Sequence, residues 1–432
     1  MKSEKNNTDG PVISDRGNNR HDRDWTKGST IRNLLALSWP IIVSDSLNLI
    51  GPTIDMIWVG RLGAASIAGV GVAGMVLMVS RLGIMGINTG NRAMVARFMG
   101  ANDNAGAIHT ARQAFIVSVA YATIIASIGI IYAESILSLF GVGADVVSEG
   151  ATYIRVAFIS AIAMALHVVP EGIMQASGDT VTPMKISITM RIIHVILGPF
   201  LIFGIWIFPR MGVTGAAMAS LISLTIGMLI SLWVVFTGRS RLRLTLKNFS
   251  IDFNIIWRII KIGLPASVMM AQQRFGRILL LAFVAPFGTS AVAGYVLLER
   301  IEVFVRTPAM GFGRGAGVLV GQNLGAREPD RAEKSAWHAT GFSESIVIVI
   351  AIILFLWPGH VIHIFSPDPQ LIKTVGIFLR IMAIGYLTLG FDAVLVQSLS
   401  GAGDTMPAMI MNVMRMWVIT LPFAYILPKI TG

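Results

Sequence analysis

Cysteine is absent from this 432-residue chain, and charged residues make up only 13% of it. The absence of cysteine excludes disulfides, thiolate metal sites and thiol catalysis. Because soluble domains carry about 25% charged residues, the shortage of charge places most of the chain where charge is costly. The residues that are present agree, since 54% are hydrophobic and the mean hydropathy is +0.72. The composition therefore predicts a protein that lies largely within a membrane.

The sequence motifs of common enzymes are also absent. There is no Gly-x-x-x-x-Gly-Lys-[Ser/Thr] phosphate loop, so ATP is not expected to drive the protein directly. His-Glu-x-x-His, Gly-x-Ser-x-Gly and clustered metal ligands are missing too, which argues against an enzyme and against a resident metal or cofactor. The glycines of Gly311–Gly315 lie at the end of an apolar segment rather than after a strand, and they indicate helix packing and a hinge.

Eleven apolar segments are long enough to cross a bilayer, which takes about 20 residues. They fall at roughly 34–58, 66–91, 113–139, 147–174, 184–206, 212–237, 257–284, 290–313, 341–364, 372–399 and 407–428. In the first half Phe208–Gly212 leads straight into the sixth segment, and the chain ends at the matching point of the second half. We therefore expect a twelve-helix architecture whose last helix is missing from this sequence. A native eleven-helix protein is the alternative.

The second half of the chain repeats the first at a constant offset of 225 residues. Residues 40–111 and 265–336 align without a gap, and 16 of 72 positions are identical. The matches include glycines and prolines that shared apolar composition would not align: Pro40/Pro265, Gly51/Gly276, Gly63/Gly288, Gly86/Gly311, Gly90/Gly315 and Gly100/Gly325. A same-order repeat in a hydrophobic chain is typical of secondary transporters. It predicts an all-α polytopic membrane protein of two pseudo-symmetric six-helix bundles, at 33–238 and 257–432, joined by a linker at 239–256.

Basic residues are concentrated in one set of loops. The linker is rich in Arg and Lys, whereas the loops at 141–150 and 286–290 contain neither. Because basic loops face the cytoplasm, we expect a multi-pass protein of the cell inner membrane with a cytoplasmic linker. Residues 1–32 are polar and have no apolar core, so we expect a disordered cytoplasmic tail rather than a signal peptide. The net charge of +11 then reflects membrane topology and not nucleic-acid binding, and we expect a monomer in the lipid bilayer.

Several short strings recur in order along this repeat: Pro40 with Asp55 and Trp58–Gly63, the Gly-Asp-Thr strings at 178–180 and 403–405, Leu201–Gly204, and Met211–Ala217. Together they resemble the MATE (multidrug and toxic compound extrusion) transporters of the multidrug/oligosaccharidyl-lipid/polysaccharide flippase superfamily. The resemblance implies two six-helix bundles around a V-shaped cavity. It also implies export of amphipathic, usually cationic, compounds in exchange for H+ or Na+, with Asp55 at the position of the carboxylate that binds the coupling cation.

The chain departs from the family pattern at three places. Before Pro199, His194 and Gly198 stand where the Na+-type pattern has Asn and Asp, which favours H+ over Na+, although Na+ at Asp55 remains the alternative. Gln273 replaces a Glu in the seventh helix, and Asp392 resembles a tenth-helix Asp only loosely, about one turn out of place.

Two aspartates lie in the first apolar segment. Asp45 and Asp55 are ten residues apart, about 15 Å along a helix and on different faces, so they cannot share one ion. We predict that Asp55 is the coupling carboxylate, with His194 as its neighbour and Asp45 as a further candidate. The plainer alternative for Asp55 is a carboxylate ionised in water at the helix end, and for His194 it is a helix-to-helix hydrogen bond.

Charged residues also cluster in the second half. Unpaired charges at the bilayer centre cost at least about 2.5–3.5 kcal/mol each, so these residues must line a wet cavity or neutralise one another. Glu302 and Arg306, spaced i, i+4, can pair. The predicted substrate-cavity residues are Gln273, Glu299, Glu302, Asp392, His167, Glu171, Arg81 and Arg306. A structural ion-pair network is the alternative, and the surplus of arginine would suit an anionic or zwitterionic substrate better than a cation.

Together these features predict a secondary antiporter that exports amphipathic, cationic compounds in exchange for H+ or Na+. The alternative is a flippase for lipid-linked saccharides, in which cavity arginines bind a pyrophosphate. A membrane-embedded enzyme and a channel are disfavoured, because no catalytic constellation is present and a two-bundle repeat is typical of saturable exchange.

Overall fold

The structure, a computed structural model, describes residues 23–62, 64–139, 143–245, 249–365 and 368–431. The described residues are helical and contain no strand, which confirms the all-α class. The first half contains α1 (Thr30–Gly60), α2 (Ala64–Gly100), α3 (Asn104–Ile131), α4 (Ala133–Ser138), α5 (Ala144–Ser177), α6 (Val181–Phe203) and α7 (Gly212–Thr237).

The second half begins after the linker, with more breaks in its helices. It contains α8 (Phe253–Val284), α9 (Thr289–Gly325), α10 (Pro329–Leu356), α11 (Pro358–His363), α12 (Pro369–Gly385), α13 (Leu389–Ala402), α14 (Thr405–Met414) and α15 (Leu421–Thr431). A 3₁₀ turn at Tyr386–Thr388 joins α12 to α13, and a π-helical turn at Arg415–Thr420 joins α14 to α15. The predicted tenth and eleventh spans are therefore continuous paths of two helices each.

Nine helical stretches in the described part of the chain are long and apolar enough to cross a membrane. The remaining two predicted spans correspond to α2 and α9, which are 37 residues each. The twelve-helix architecture is thus confirmed in part. Both helices continue well past the predicted ends at 91 and 313. Hydropathy falls at Arg92, Arg97 and Arg314, although the helical backbone continues through them.

The repeated Gly-Asp-Thr strings mark equivalent helix ends. Gly178 and Gly403 adopt φ angles of 95° and 84° after α5 and α13, a left-handed conformation that glycine adopts without a Cβ clash. The chain then turns directly into α6 and α14. The sequence repeat therefore encodes a repeated turn at the same end of both halves.

The two halves meet where α2 crosses α9. A Cβ at Gly100 would collide with the carbonyl oxygen of Gln322, and a Cβ at Gly325 would collide with that of Arg97. Gln322 and Arg97 are themselves related by the 225-residue offset, so the crossing is symmetric in its contacts. The pairs α1 with α9 and α2 with α8 pack alongside it. We call the end of the molecule that carries this crossing and the linker the linker end.

Residues just before α1 also pack at the linker end. Trp25 is buried against residues of α1 and α9, its carbonyl accepts from Nδ2 of Asn33, and the Arg241 guanidinium lies 5.7 Å from its ring centroid. The tail that was expected to be disordered over 1–32 is therefore ordered from residue 23, because the Trp25 side chain packs among apolar residues there. Residues 1–22 lie outside the described residues.

Candidate coupling and substrate sites

Asp55 and His194 lie against each other between α1 and α6. The Nε2 atom of His194 is 3.2 Å from Oδ1 of Asp55, and the side chains are 4% and 22% exposed. The contact lies off the direction of a good hydrogen bond, so Oδ1 of Asp55 is buried without a well-aimed donor. A carboxylate in this situation can take up a proton without losing an existing hydrogen bond.

Arg191 and Ser220 fix the orientation of the His194 ring. Nη1 of Arg191 lies 3.2 Å from Nδ1, and Oγ of Ser220 lies 3.1 Å from Nε2. Because a guanidinium can only donate, Nδ1 must accept, which assigns the proton of the neutral ring to Nε2. The ring therefore presents its N–H toward Asp55 and Ser220.

Glycines allow the two helices to approach around this site. A Cβ at Gly51 of α1 would collide with the Arg191 guanidinium, and a Cβ at Gly198 of α6 would collide with the Trp58 ring. Each glycine leaves a notch that a side chain of the other helix fills. The notch at Gly51 is what places Arg191 beside His194.

Asp45 belongs to a different cluster, between the two halves. Its Oδ1 accepts from Nη1 of Arg314 at 2.7 Å, and the side chains are 13% and 29% exposed. Arg92 donates to the carbonyl oxygen of Arg314 at 3.4 Å. Asp45 and Asp55 thus have separate partners, and this ion pair joins α1 to α9.

His167 and Glu171 lie on the first-half side of the same region. Nε2 of His167 is 3.8 Å from Oε2 of Glu171, and its Nδ1 contacts Oγ of Ser231 at 2.8 Å. Oε1 of Glu171 accepts from Gln175 at 2.9 Å. The two residues, predicted to line the substrate cavity, are not among those that line the pocket of the second half.

The second half contains a pocket of about 240 Å³ between α8, α9, α12 and the α14–α15 path. Four of the predicted cavity residues line it: Gln273, Glu299, Glu302 and Arg306. Arg277 donates to both glutamates, at 2.7 Å to Oε1 of Glu299 and 2.9 Å to Oε1 of Glu302. Gln273 donates to Oδ1 of Asn412 at 2.9 Å.

Asp392 lies beside this pocket and holds two arginines. Its Oδ2 is 3.0 Å from Nη1 of Arg415 and 3.5 Å from Nη2 of Arg306. Glu302 and Arg306, whose spacing allows an ion pair, each contact a partner on another helix, and Glu302 acts on Arg306 only electrostatically. Helical spacing gives only neighbours on one helix, and the rotation of α9 turns Glu302 toward Arg277 instead.

Arg81 is set apart from these groups. It is exposed on α2 and does not line the second-half pocket. It interacts electrostatically with Tyr153, which also interacts electrostatically with Asp55. Four further arginines belong to these clusters and were not predicted from the sequence: Arg92, Arg191, Arg314 and Arg415. A signal was available for Arg191 and Arg415, because a charged residue inside a membrane span is functional or paired by default, whereas Arg92 and Arg314 lie just past the ends of the predicted spans.

No group of three or more His, Asp or Glu side chains suited to a metal ion occurs among the described residues. The hydrogen-bonding neighbours of the Asp55–His194 pair are a guanidinium and one hydroxyl. Na+ and other hard cations prefer several oxygen ligands.

Two segments of the chain, residues 40–200 and 265–426, match the MatE family model. The chain belongs to the MatE family. The two matched segments correspond to the two halves of the repeat. The protein is accordingly a multi-pass membrane transporter and not an enzyme.

Curated relatives cover nearly the whole chain. A probable multidrug resistance protein, YoeA, of Bacillus subtilis is 24% identical over 94% of this chain and 89% of its own length. The probable multidrug resistance protein NorM of Thermotoga maritima is 24% identical over 92% of this chain and 86% of its own. An FAD transporter of Shewanella oneidensis is 25% identical over 93% of this chain and 89% of its own.

Solved structures share the fold. A MOP superfamily transporter from Pyrococcus furiosus superimposes with a TM-score of 0.88 at 24% identity, over 94% of this chain and 90% of that one. A multidrug resistance MATE family transporter described in an outward-facing conformation gives a TM-score of 0.87 at 24% identity, over 93% and 89%. The predicted MATE resemblance and its helical fold are confirmed.

Proposed function

We propose that this MatE protein is a secondary antiporter that exports amphipathic compounds in exchange for protons. The observation that carries the proposal is the contact of 3.2 Å between His194 and the poorly satisfied carboxylate of Asp55. The multidrug resistance names of relatives in Bacillus subtilis and Thermotoga maritima support the substrate class. Asp55 binds the coupling proton, and His194 orients the Asp55 carboxylate.

Arg191 is why we assign the proton to Asp55 rather than to His194. A second proton on the ring would sit on Nδ1 and face the Arg191 guanidinium at 3.2 Å, where donor meets donor. Protonation of Asp55 removes a charge beside Nε2–H and meets no such opposition. We propose H+ rather than Na+ as the coupling ion for this reason and because oxygen ligands are few.

We propose that the two halves rock against each other about the linker end. The hydrogen bonds that join them come from the linker half of the central helices: Asp45–Arg314, Ser267 to the Leu82 carbonyl, and Gln322 to the Ala176 carbonyl. When these hydrogen bonds are formed, the halves are closed at the linker end. The Asp55–His194 pair and the second-half pocket lie toward the opposite end. Asp45 then acts in closure rather than in ion coupling.

The basic linker end is proposed to face the cytoplasm of a cell inner membrane, so the conformation described here faces outward. Arg97, Arg112, Arg327, Arg331 and Lys334 all lie near this end. One chain supplies both halves and both sites, which supports a monomer as the working unit. Export then requires the linker end to open.

A flippase for lipid-linked saccharides is the second candidate, favoured by the arginines around the second-half pocket. Arg277, Arg306 and Arg415 lie within one small region, as a pyrophosphate site would need. The FAD transporter of Shewanella oneidensis is a relative whose cargo also carries phosphates. The substrate charge separates this candidate from export of a cation.

The test is gradient-driven movement of an amphipathic xanthene dye in proteoliposomes, supplied both as a cationic methyl ester and as the free acid. For one proton per dye, one pH unit is worth about 1.4 kcal/mol and can drive about tenfold accumulation. We expect accumulation under a proton gradient and none under a sodium gradient. Asp55→Asn is expected to reduce accumulation to the level of protein-free liposomes.

Asp45→Asn is the matched variant, with the same substitution ten residues away on the same helix. We expect it to change the transport rate while proton dependence is retained, because it breaks the closure contact and not the coupling site. Sodium-driven accumulation, or proton-driven accumulation that survives Asp55→Asn, would contradict the assignment.

A further inference from the structure

The carboxylates at the second-half pocket are already paired. Arg277 engages both Glu299 and Glu302, and Asp392 is shared by Arg306 and Arg415. Arg277 donates to Oε1 of each glutamate, at 2.7 and 2.9 Å. The guanidiniums of Arg277, Arg306 and Arg415 balance the three carboxylates of the cluster, so it offers a cation no surplus negative charge.

Hydrogen-bond donors, by contrast, remain unused in the pocket. Gln272 lines it and is 9% exposed, yet its side-chain amide nitrogen and oxygen are buried without a partner. Nε of Arg306, another lining residue, is also buried without an acceptor. Buried donors without acceptors are rare and costly. Neither atom is accessible from the pocket in this conformation, so each side chain would have to turn to meet an acceptor that a ligand supplies.

The pocket is small for a whole transported compound. Sites for drug-sized ligands measure about 300–1,000 Å³, whereas this pocket measures about 240 Å³. Its remaining walls include the apolar side chains of Leu280, Leu298, Met382 and Met416. It fits a polar head group with the start of an apolar body beside it.

We propose that this pocket binds the acidic group, a carboxylate or a phosphate, of an anionic or zwitterionic amphiphile. Arg306 and Gln272 donate to the acidic group, and the bonds from Arg277 to the two glutamates are kept. The proposal rests on the transport function proposed above and names its substrate class. It replaces the expected cation with a compound that carries a negative charge.

Equilibrium binding to the purified chain in detergent tests the proposed acidic-group site without any ion gradient. The result can therefore be interpreted even if proton coupling fails. The probes are the free-acid xanthene dye and its methyl ester, which differ only in the carboxylate. We expect the acid to bind at least about tenfold more tightly. A charged hydrogen bond is worth about 1.5–3 kcal/mol, so Arg306→Gln should weaken binding of the acid about tenfold and leave the ester unchanged.

Asp392→Asn is the opposing variant, because it frees Arg306 and Arg415 from their shared acceptor. We expect Asp392→Asn to tighten binding of the acid. A variant that only disturbed the packing of the pocket would not increase affinity. Arg155→Gln is the control, since Arg155 pairs with Glu134 at 2.8 Å on the surface of the first half. Tighter binding of the ester than of the acid, or weaker acid binding in Asp392→Asn, would overturn the proposal.

A competition arm distinguishes the source of the acidic group. Displacement of the dye by a polyprenyl pyrophosphate in nanodiscs assigns the group to a lipid, as the flippase candidate requires. Retention of the dye in its presence assigns the group to a soluble amphiphile. Both results support an acidic ligand and differ in which transport reaction it serves.

Discussion

Gly51 in the first half and Gly276 in the second occupy equivalent places, and the residues that fill their notches are equivalent too. The Arg191 guanidinium lies at Gly51 and the Met416 side chain at Gly276, and residues 191 and 416 are again 225 apart. The backbone arrangement is thus the same in both halves. The chemistry differs, since one notch holds a charge that orients His194 and the other holds an apolar side chain.

The same contrast extends to the functional residues. Asp55 and His194 correspond to Leu280 and Ile419, whereas Glu299 and Glu302 correspond to Gly74 and Leu77. Duplication therefore preserved the contacts that let two bundles pack, and the polar sites diverged. We infer a division of labour in which the first half handles the proton and the second half handles the head group of the substrate.

Substitution of the crossing glycines tests whether the packing is symmetric, and it should have the largest effect. Gly100→Ala and Gly325→Ala each place a methyl group against backbone of the other half. Overpacking against backbone costs about 1–3 kcal/mol. We expect equal losses of thermal stability in detergent for the two variants.

Gly74→Ala and Gly341→Ala are the controls for this pair. Both glycines are helical and have no atom within 4 Å of the added Cβ, so alanine should be neutral or stabilising by about 0.5–1 kcal/mol. A large loss in one crossing variant and none in the other would show that the halves are not equivalent there.

Gly51→Ala against Gly276→Ala tests the divergence of the chemistry. In the first half the added methyl group pushes Arg191 away from His194, and we expect proton-driven transport to fall about tenfold, since a charged hydrogen bond is worth about 1.5 kcal/mol or more. In the second half it displaces the flexible, uncharged side chain of Met416, which lines the second-half pocket. We expect a smaller loss there than in Gly51→Ala, measured as initial transport rate at fixed expression.

Arg191→Gln should reproduce the Gly51→Ala defect, because it removes the same contact by another route. Equal transport losses in Gly51→Ala and Gly276→Ala would argue that the notch matters for packing alone. That result would weaken the role we assign to Arg191.

The sequence predicted the symmetric part of the molecule well. Gly100 and Gly325 lie at the crossing, and Gly51 and Gly276 lie in the notches. The sequence predicts these positions because the absence of a Cβ is a local property. The helical class and most of the spans follow from hydropathy for the same reason. The ends of α2 and α9 were missed, because hydropathy reports contact with lipid and not helical backbone.

The partners of the charged residues were predicted less well. The spacing allows Glu302 to pair with Arg306 on its own helix, whereas in the structure it contacts Arg277 of α8. Asp45 meets Arg314, which was read as part of a glycine-rich hinge. These choices depend on how helices rotate against one another, and no local pattern specifies that rotation. The placement of His194 beside Asp55 was inferred from the family pattern and not from spacing.

The helix caps provide the smallest test of the comparison between the halves. Asp252 caps α8, where backbone N–H groups of Asn254 and Ile255 donate to Oδ1 at 2.9 and 3.1 Å, whereas α1 is capped by the uncharged Ser29. The hydrogen bond from the Ile255 N–H, followed by the contact with His109, lowers the pKa of the Asp252 carboxyl. A carboxylate whose folded-state pKa lies below its unfolded value of about 3.9 stabilises the fold above that value. This stabilisation is lost as pH falls through the folded-state pKa.

We therefore expect Asp252→Asn to flatten the decline in melting temperature below about pH 4, near the ordinary pKa of Asp, with little change at pH 7, because Asn still caps the helix. Asp252→Ala should lower stability at every pH, since both cap bonds are lost. Ser29→Ala should do so without altering the pH profile, because the cap of α1 does not titrate. Melting curves from pH 3 to 7, a range of about one unit below to three above that pKa, measure all three. A pH profile for Asp252→Asn identical to that of the wild type would place the acid sensitivity elsewhere in the molecule.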